Sequence, residues 1–154
     1  MKALRSSPLS DLSLAVALQR RIRSCSDSSA GAGTALVTGG SGFTGPSTAK
    51  AGKAVRGEIY GFDTRAADPK PVPLTGDLPF DFHPHGISLY RGDGGDVRLF
   101  VVNHRTDGNY IEIFKVRGER ITHLESISGP LMHSPNDVAA AGRRSFYVTN
   151  DHGS

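Results

Sequence analysis

The sequence predicts an all-β fold, a partial β-propeller of about two to three blades out of six, with an irregular or helical N-terminal segment. Short strand candidates recur about every 12 residues, the spacing of an antiparallel meander. Two segments also look like copies of one unit. PHGI at 84–87 leads into LFVVNH at 99–104, as PNDV at 135–138 leads into FYVTND at 146–151. The second copy begins 51 residues after the first, close to the ~40–50-residue period of propeller blades.

The chain divides into an N-terminal leader, residues 1–33, and a partial propeller domain, residues 34–154. Leucine and valine at positions 9, 12 and 16 have helical spacing, and arginines follow at 20, 21 and 23. This pattern fits an amphipathic helix, and it leaves open a signal peptide, a mitochondrial presequence or a disordered leader. The apolar run at 12–18 is too short to span a bilayer. Cys25, the only cysteine, cannot form an internal disulfide.

Strand candidates in the propeller domain begin with residues 35–39 and 58–63, which are assigned to an upstream blade. Four more begin near positions 85, 97, 109 and 121 and make one complete blade. Residues 97–102 are mostly apolar, as expected of a strand covered on both faces, whereas residues 110–116 alternate as in a strand with one polar face. Glycine, asparagine and aspartate between the strands supply the turns. No helix is expected within residues 34–154.

The length predicts an incomplete propeller. Six blades of ~40–45 residues need roughly 250 residues, and the propeller domain is much shorter. We therefore expect a truncated product, an incomplete gene model, or a piece that assembles with copies of itself. Uncovered sheet edges favour the last possibility, because unpaired backbone groups on an edge can pair with another chain.

Charge and composition exclude some classes of function. The net charge is +3, with a sequence pI near 9.2, but much of the basic excess lies in the leader. The strand region lacks the clustered basic and aromatic residues typical of nucleic-acid binding. The glycine-rich segment GGSGFTG at 39–45 is not expected to bind a dinucleotide, because residues 49–56 are too short for the required helix and no βαβ unit follows.

Polar residues stand at the tips of the repeated strands and are the candidate site. His85 and His104 are 19 residues apart, and Asn136 and Asp137 occupy the matching tip of the second copy. Amide, carboxylate and carbonyl oxygens are the ligands that Ca²⁺ takes, and a neutral histidine can accept a proton from water. The alternative is that the histidines are strand-end residues and that Asn136 and Asp137 only form a turn after Pro135.

Residues 57–152 resemble the serum paraoxonase/arylesterase family, within the gluconolactonase-like six-bladed propellers. The resemblance is carried by five motifs in order: HPHGIS at 83–88, VVNH at 101–104, IEIFK at 111–115, PNDV at 135–138 and TNDH at 149–152. The resemblance implies two calcium ions in the central channel and hydrolysis of small lactones and aryl esters over one of them.

The resemblance also implies roles for single residues. Asn136 would be a ligand of the catalytic calcium, and Asp137 a ligand of the structural calcium together with the backbone carbonyl of Ile87. His85 would be the general base and His104 its partner in a dyad. The roles of Asn150, Asp151 and His152 stay open between support of this site and a simple strand end.

The chain departs from the family at one pair of positions. The family has an adjacent Glu-Asp pair before its first inner strand, and the matching positions here are Cys25 and Ser26, with Asp27 out of register. Only about half of each calcium site is therefore expected within the chain. This departure keeps open the alternative that the chain is an inactive propeller fragment acting as a binding or scaffold module.

Overall fold

The computed structural model of the protein describes residues 2–4, 34–39, 56–118 and 120–151. Within these ranges the chain forms strands and one short 3₁₀ turn (Asp93–Gly95), without an α-helix. The strands are β1 (Lys2–Leu4), β2 (Thr34–Gly39), β3 (Glu58–Asp63), β4 (Val72–Pro73), β5 (Pro84–Arg91), β6 (Val97–Arg105), β7 (Gly108–Arg117), β8 (Arg120–Ile127), β9 (Pro135–Ala140) and β10 (Phe146–Asn150). This confirms the all-β prediction. The described part of the chain holds no helix with the length and apolar character needed to cross a membrane.

The strands form three antiparallel sheets, each corresponding to all or part of a blade. The first blade has the order β2-β3-β4, the second β5-β6-β7-β8, and the third β1-β10-β9. The four strands of the second blade begin at residues 84, 97, 108 and 120, each within one residue of its predicted start. Backbone pairing and the repeat therefore agree on one complete blade with a partial blade on either side.

Part of the predicted N-terminal leader can be compared with the structure. Lys2–Leu4 pairs with β10 as a strand. These three residues precede the positions 9–23 that carry the helical spacing, so the helical alternative for the leader stays a prediction. Residues 5–33 lie outside the described residues, as do residues 40–55 with most of the glycine-rich segment. Self-association through sheet edges stays a prediction.

The second blade is covered on both faces. Side chains of β6 and β7 alternate between two apolar cores, one shared with the third blade and one with the first. The core toward the third blade contains Tyr90, Phe100, Val102, Ile111, Ile113, Met132, Val138, Ala140, Phe146 and Val148. The core toward the first blade contains Leu36, Ile59, Phe82, Ile87, Leu99, Val101 and Phe114. The prediction that residues 97–102 form a strand covered on both faces is confirmed.

Strand β7 carries a buried charge. Its alternation predicts one polar face, and Glu112 on that face is fully buried. A buried carboxylate is tolerated only when hydrogen bonds and an opposite charge replace its water. The side chains around Glu112 must therefore supply these hydrogen bonds and this charge.

The Glu112 carboxylate accepts hydrogen bonds from four side chains. Its Oε1 lies 2.8 Å from Asn103 Nδ2 and 2.7 Å from Arg105 Nη2. Its Oε2 accepts from Ser126 Oγ at 2.6 Å and contacts His123 Nε2 at 3.0 Å. The Arg105 guanidinium is stacked 3.9 Å from the Phe80 ring centroid and 4.1 Å from that of Tyr110. We call Asn103, Arg105, Glu112, His123 and Ser126 the Glu112 network; it joins β6, β7 and β8.

Replacing Glu112 by glutamine should destabilise the fold strongly. The variant leaves the mostly buried Arg105 without a counter-charge and puts an NH₂ donor among groups that themselves donate. Breaking a buried pair from one side costs about 3–5 kcal/mol, a large part of the ~5–15 kcal/mol that stabilises a typical domain. Urea denaturation followed by circular dichroism measures the loss.

Glu125→Gln is the matched control for this measurement. Glu125 pairs with Arg144 on the surface, with 32% and 50% of the side chains exposed, so its loss should cost no more than about 1 kcal/mol. Equal effects of the two substitutions would show that the Glu112 network does not hold the blade together.

Candidate functional site

The candidate residues lie at one end of the second and third blades. Strand β5 begins and β6 ends there, with Pro84 opposite Asn103. The third blade repeats the arrangement, with Pro135 at the start of β9 opposite Asn150 at the end of β10. Because β5 packs against β9, the polar tips that the repeat predicted are brought together. We call this end of the two blades the polar end.

Two asparagines at equivalent positions of the repeat fix this end. Asn103 Oδ1 accepts the backbone N–H of His83 at 2.7 Å, and its Nδ2 donates to the Asp81 carbonyl at 2.9 Å. Asn150 does the same one blade later: Oδ1 accepts the Ser134 N–H at 3.1 Å and Nδ2 donates to a preceding carbonyl at 3.0 Å. Asn150 thus fixes the segment before β9 to the end of β10. This is a structural role, as expected of a strand-end residue.

A β-bulge lies at the start of β5. Pro84 pairs with Asn103 and Ile87 with Val101, so β5 has one more residue than β6 across this interval. The inserted residue falls at His85 or Gly86. A bulge bends the strand and redirects a side chain, and bulges are common beside active sites. The interrupted ladder here coincides with the predicted catalytic histidine.

The structure brings His85 and His104 together. Their ring centroids are 5.6 Å apart, with the planes tilted by 53°. Nδ1 of His85 and Nε2 of His104 are both buried and have no hydrogen-bonding partner. The other nitrogen of His104, Nδ1, is 2.8 Å from Asn109 Oδ1. Two buried ring nitrogens with free hydrogen-bonding capacity therefore lie at the polar end. The catalytic dyad itself stays a prediction.

The surroundings of His85 favour its neutral form. Burial lowers the pKa of His85 from its ordinary value, and the neighbouring His104 lowers it further. The carboxylates of Asp151 and Asp137 raise the same pKa, but their effects are smaller. A neutral imidazole at physiological pH can accept a proton.

Asn136 and Asp137 lie against the bulge across the blade boundary. A Cβ on Gly86 would be 2.4 Å from Asp137 Oδ1 and 2.7 Å from the Asn136 carbonyl oxygen, so only glycine allows the two strands to approach this closely. Asp137 is exposed and Asn136 half-buried. Asp137 Oδ1 also accepts the N–H of Val138 at 2.8 Å.

The donor chemistry at this contact suits calcium in part. The predicted ligands, Asn136, Asp137 and the Ile87 carbonyl, all offer oxygen, and the glycine contact puts Asp137 beside the strand that carries Ile87. In the described residues, however, no group of three or more histidines, cysteines, aspartates or glutamates could hold a metal. Cys25, Ser26 and Asp27 lie outside the described residues. The calcium ligands stay a prediction.

A second cluster looks like a catalytic triad but lacks its geometry. Ser126 Oγ is 3.2 Å from His123 Nε2, and the same nitrogen is 3.0 Å from Glu112 Oε2. A triad histidine uses one nitrogen for the serine and the other for the carboxylate. Ser126 also accepts from Arg105 Nη2 at 2.6 Å and donates to Glu112 at 2.6 Å, so its hydroxyl is occupied. The cluster is structural.

Sequence reasoning assigned no role to His123 and did not single out Asn109. Both act through contacts between strands, and no local pattern marks them. The polar residues 106–109 predict only a turn, although Asn109 at its end contacts His104.

Comparison with known proteins identifies the arylesterase family. The arylesterase family model matches residues 28–153. The chain is 43% identical over 101 residues to serum paraoxonase/arylesterase 2 of Rattus norvegicus, a match covering 62% of this chain and 28% of the relative. It is 45% identical over 73 residues to serum paraoxonase/arylesterase 1 of Mus musculus, covering 46% and 21%. Serum paraoxonase/lactonase 3 of Homo sapiens is 35% identical over 101 residues, covering 62% and 28%. The matched region thus spans less than a third of each relative.

Substitution of Gly86 by alanine should separate the two strand tips. The added methyl group would overlap the Asp137 Cα at 2.6 Å, and backbone cannot yield as a flexible side chain can. Overpacking of this kind costs about 1–3 kcal/mol, and thermal denaturation measures it. Gly76→Ala is the control, since no atom lies within 4 Å there; that change should be neutral or stabilise by up to about 1 kcal/mol. A neutral Gly86→Ala would contradict the close approach.

The lowered pKa of His85 predicts its titration. In calcium-free buffer, the His85 resonances should titrate at lower pH in the folded chain than in urea, where an ordinary pKa of about 6.5 applies. Between the two values the unfolded chain binds more protons, so His85 makes the fold more stable as pH rises and less stable on acidification. Titration of His85 at or above its pKa in urea would contradict the burial seen here.

Proposed function

Because this chain belongs to the arylesterase family, we propose that it acts in the calcium-dependent hydrolysis of lactones and aryl esters. The observation that carries the proposal is the pair of buried, unpartnered ring nitrogens on His85 and His104 at the polar end. The relatives are named as paraoxonases, arylesterases and a lactonase. We extend the ester and lactone chemistry of those names to this chain, with activity in a longer form or in an assembly that completes the channel.

His85 is the general base in this proposal. Its lowered pKa keeps the ring neutral at physiological pH, so that it can take a proton from the water that attacks the ester carbonyl. A positioned base of this kind contributes about 10²–10⁴-fold to the rate. His104, 5.6 Å away by ring centroids, supports the base and offers a second nitrogen for the proton.

Asn136 would hold the catalytic calcium, and Asp137 with the Ile87 carbonyl would hold the structural calcium. Bound calcium polarises an ester carbonyl and stabilises the negative charge that develops on its oxygen. The chain's own contribution is to place these oxygen donors beside the histidines through the contact at Gly86. Further ligands are required, because Ca²⁺ takes six to eight oxygens.

Two observations favour a second candidate, a propeller module that binds or scaffolds without chemistry. The described residues lack a cluster of three acidic or other strong ligands, and the positions of the family's Glu-Asp pair are Cys25 and Ser26. A site with one carboxylate and one amide should bind calcium weakly, since affinity follows ligand charge.

Hydrolysis of phenyl acetate and of a simple lactone tests the proposal. With millimolar calcium we expect turnover that excess chelator abolishes and that His85→Gln reduces about a hundredfold or more, because a base is lost. His133→Gln is the control, since that exposed side chain lies outside the proposed dyad. Turnover unchanged by chelation or by His85→Gln would overturn the mechanism. Absence of turnover in the wild-type chain and in its assemblies would leave the scaffold candidate.

A further inference from the structure

Asn109 makes three directional contacts at the beginning of β7. Its Nδ2 donates to the carbonyl oxygens of Met132 at 3.2 Å and His133 at 3.0 Å. Because carbonyl oxygens only accept, the amide nitrogen must lie on that side and the amide oxygen on the other. Oδ1 therefore faces Nδ1 of His104, at 2.8 Å.

This orientation decides which nitrogen of His104 carries the proton. An amide oxygen cannot donate, so Nδ1 must be the donor in this hydrogen bond. In the neutral ring Nε2 then carries the free lone pair, and Nε2 is the buried nitrogen without a partner. The hydrogen bond of one ring nitrogen thus sets the chemistry of the other.

We infer that Asn109 is a positioning residue that holds His104 in the Nδ1–H tautomer and leaves Nε2 as an acceptor beside His85. Its catalytic meaning rests on the function proposed above. Asn109 also ties the His104 ring to residues 132–133, which precede β9 and its Asn136. A ring carried by the second blade is thereby fixed relative to the third blade, which carries two of the predicted calcium ligands, Asn136 and Asp137.

A purely structural role would need only the two bonds that Nδ2 donates. The two roles can be separated because Oδ1 and Nδ2 act on different partners. Asn109→Asp keeps an acceptor for His104 and loses the two bonds that Nδ2 donates. Asn109→Ala loses those two bonds and the acceptor as well. Ser128→Ala is the matched control, since it removes only a hydrogen bond to the Asn109 backbone carbonyl, 2.9 Å long.

The test is ¹⁵N NMR of the histidine rings in the full chain, at mildly alkaline pH where imidazole is neutral. In the wild type we expect a protonated Nδ1 and a bare Nε2 for His104. Asn109→Ala should shift the ring toward the Nε2–H tautomer, which free histidine favours. Asn109→Asp and Ser128→Ala should keep the wild-type tautomer. An Nε2–H ring in the wild type, or an unchanged tautomer in Asn109→Ala, would overturn the inference.

Hydrolysis gives the second readout. In metal sites, loss of a partner that orients a ligating histidine costs about 10–100-fold. We expect a loss of similar size here, on kcat with KM unchanged. Asn109→Asp should recover most of it. If no form hydrolyses esters, the proposed function fails, and the tautomer measurement still judges the role of Asn109. If Asn109→Ala does not fold, a changed tautomer in Asn109→Asp would overturn the inference on its own.

Discussion

The second blade depends on a carboxylate that has no access to water. Glu112 is fully buried, and its two oxygens accept from donors on β6 and β8, its neighbours on either side. Removing a carboxylate from water is compensated only when the opposite charge and the hydrogen bonds are all in place. The network therefore fixes the register. A slip of one residue would turn Glu112 toward the apolar core on the opposite face.

The same network reaches the candidate site through Asn103. Its Nδ2 donates both to Glu112 and to the Asp81 carbonyl, while its Oδ1 holds the His83 N–H. His83 precedes Pro84 and the bulge that carries His85, and His104 follows Asn103 directly. The two histidines are thus attached on either side of one clamped residue. Their separation is set by the core of the blade rather than by a loose loop.

Much of this architecture could be predicted from local pattern. Turn residues and apolar runs located the strands of the second blade to within one residue, and the repeat placed His104 and Asp151 at equivalent tips. The burial of Glu112 could not be predicted, because alternation in a strand indicates only that a residue faces away from its neighbours. Whether that face meets water depends on Arg105 and the blade beside it. The hydrogen bond between Asn109 and His104 could not be predicted either, because the two residues meet only when β6 pairs with β7.

The polar groups of the second and third blades fall into two kinds, and the difference supports the function proposed for the histidines. Asn103, Glu112 and Asn150 have their hydrogen-bonding capacity used in holding strands. The buried nitrogens of His85 and His104 do not, although an unsatisfied buried group costs about 1–3 kcal/mol. Arg91 and Asp96 also have unpartnered buried atoms, near the opposite end of β5 and β6, so that state alone is not diagnostic. What sets the histidines apart is that two such nitrogens occur on neighbouring rings, next to a bulge and beside oxygen donors of the next blade. This combination of features is the ground on which we propose that the polar end binds a ligand.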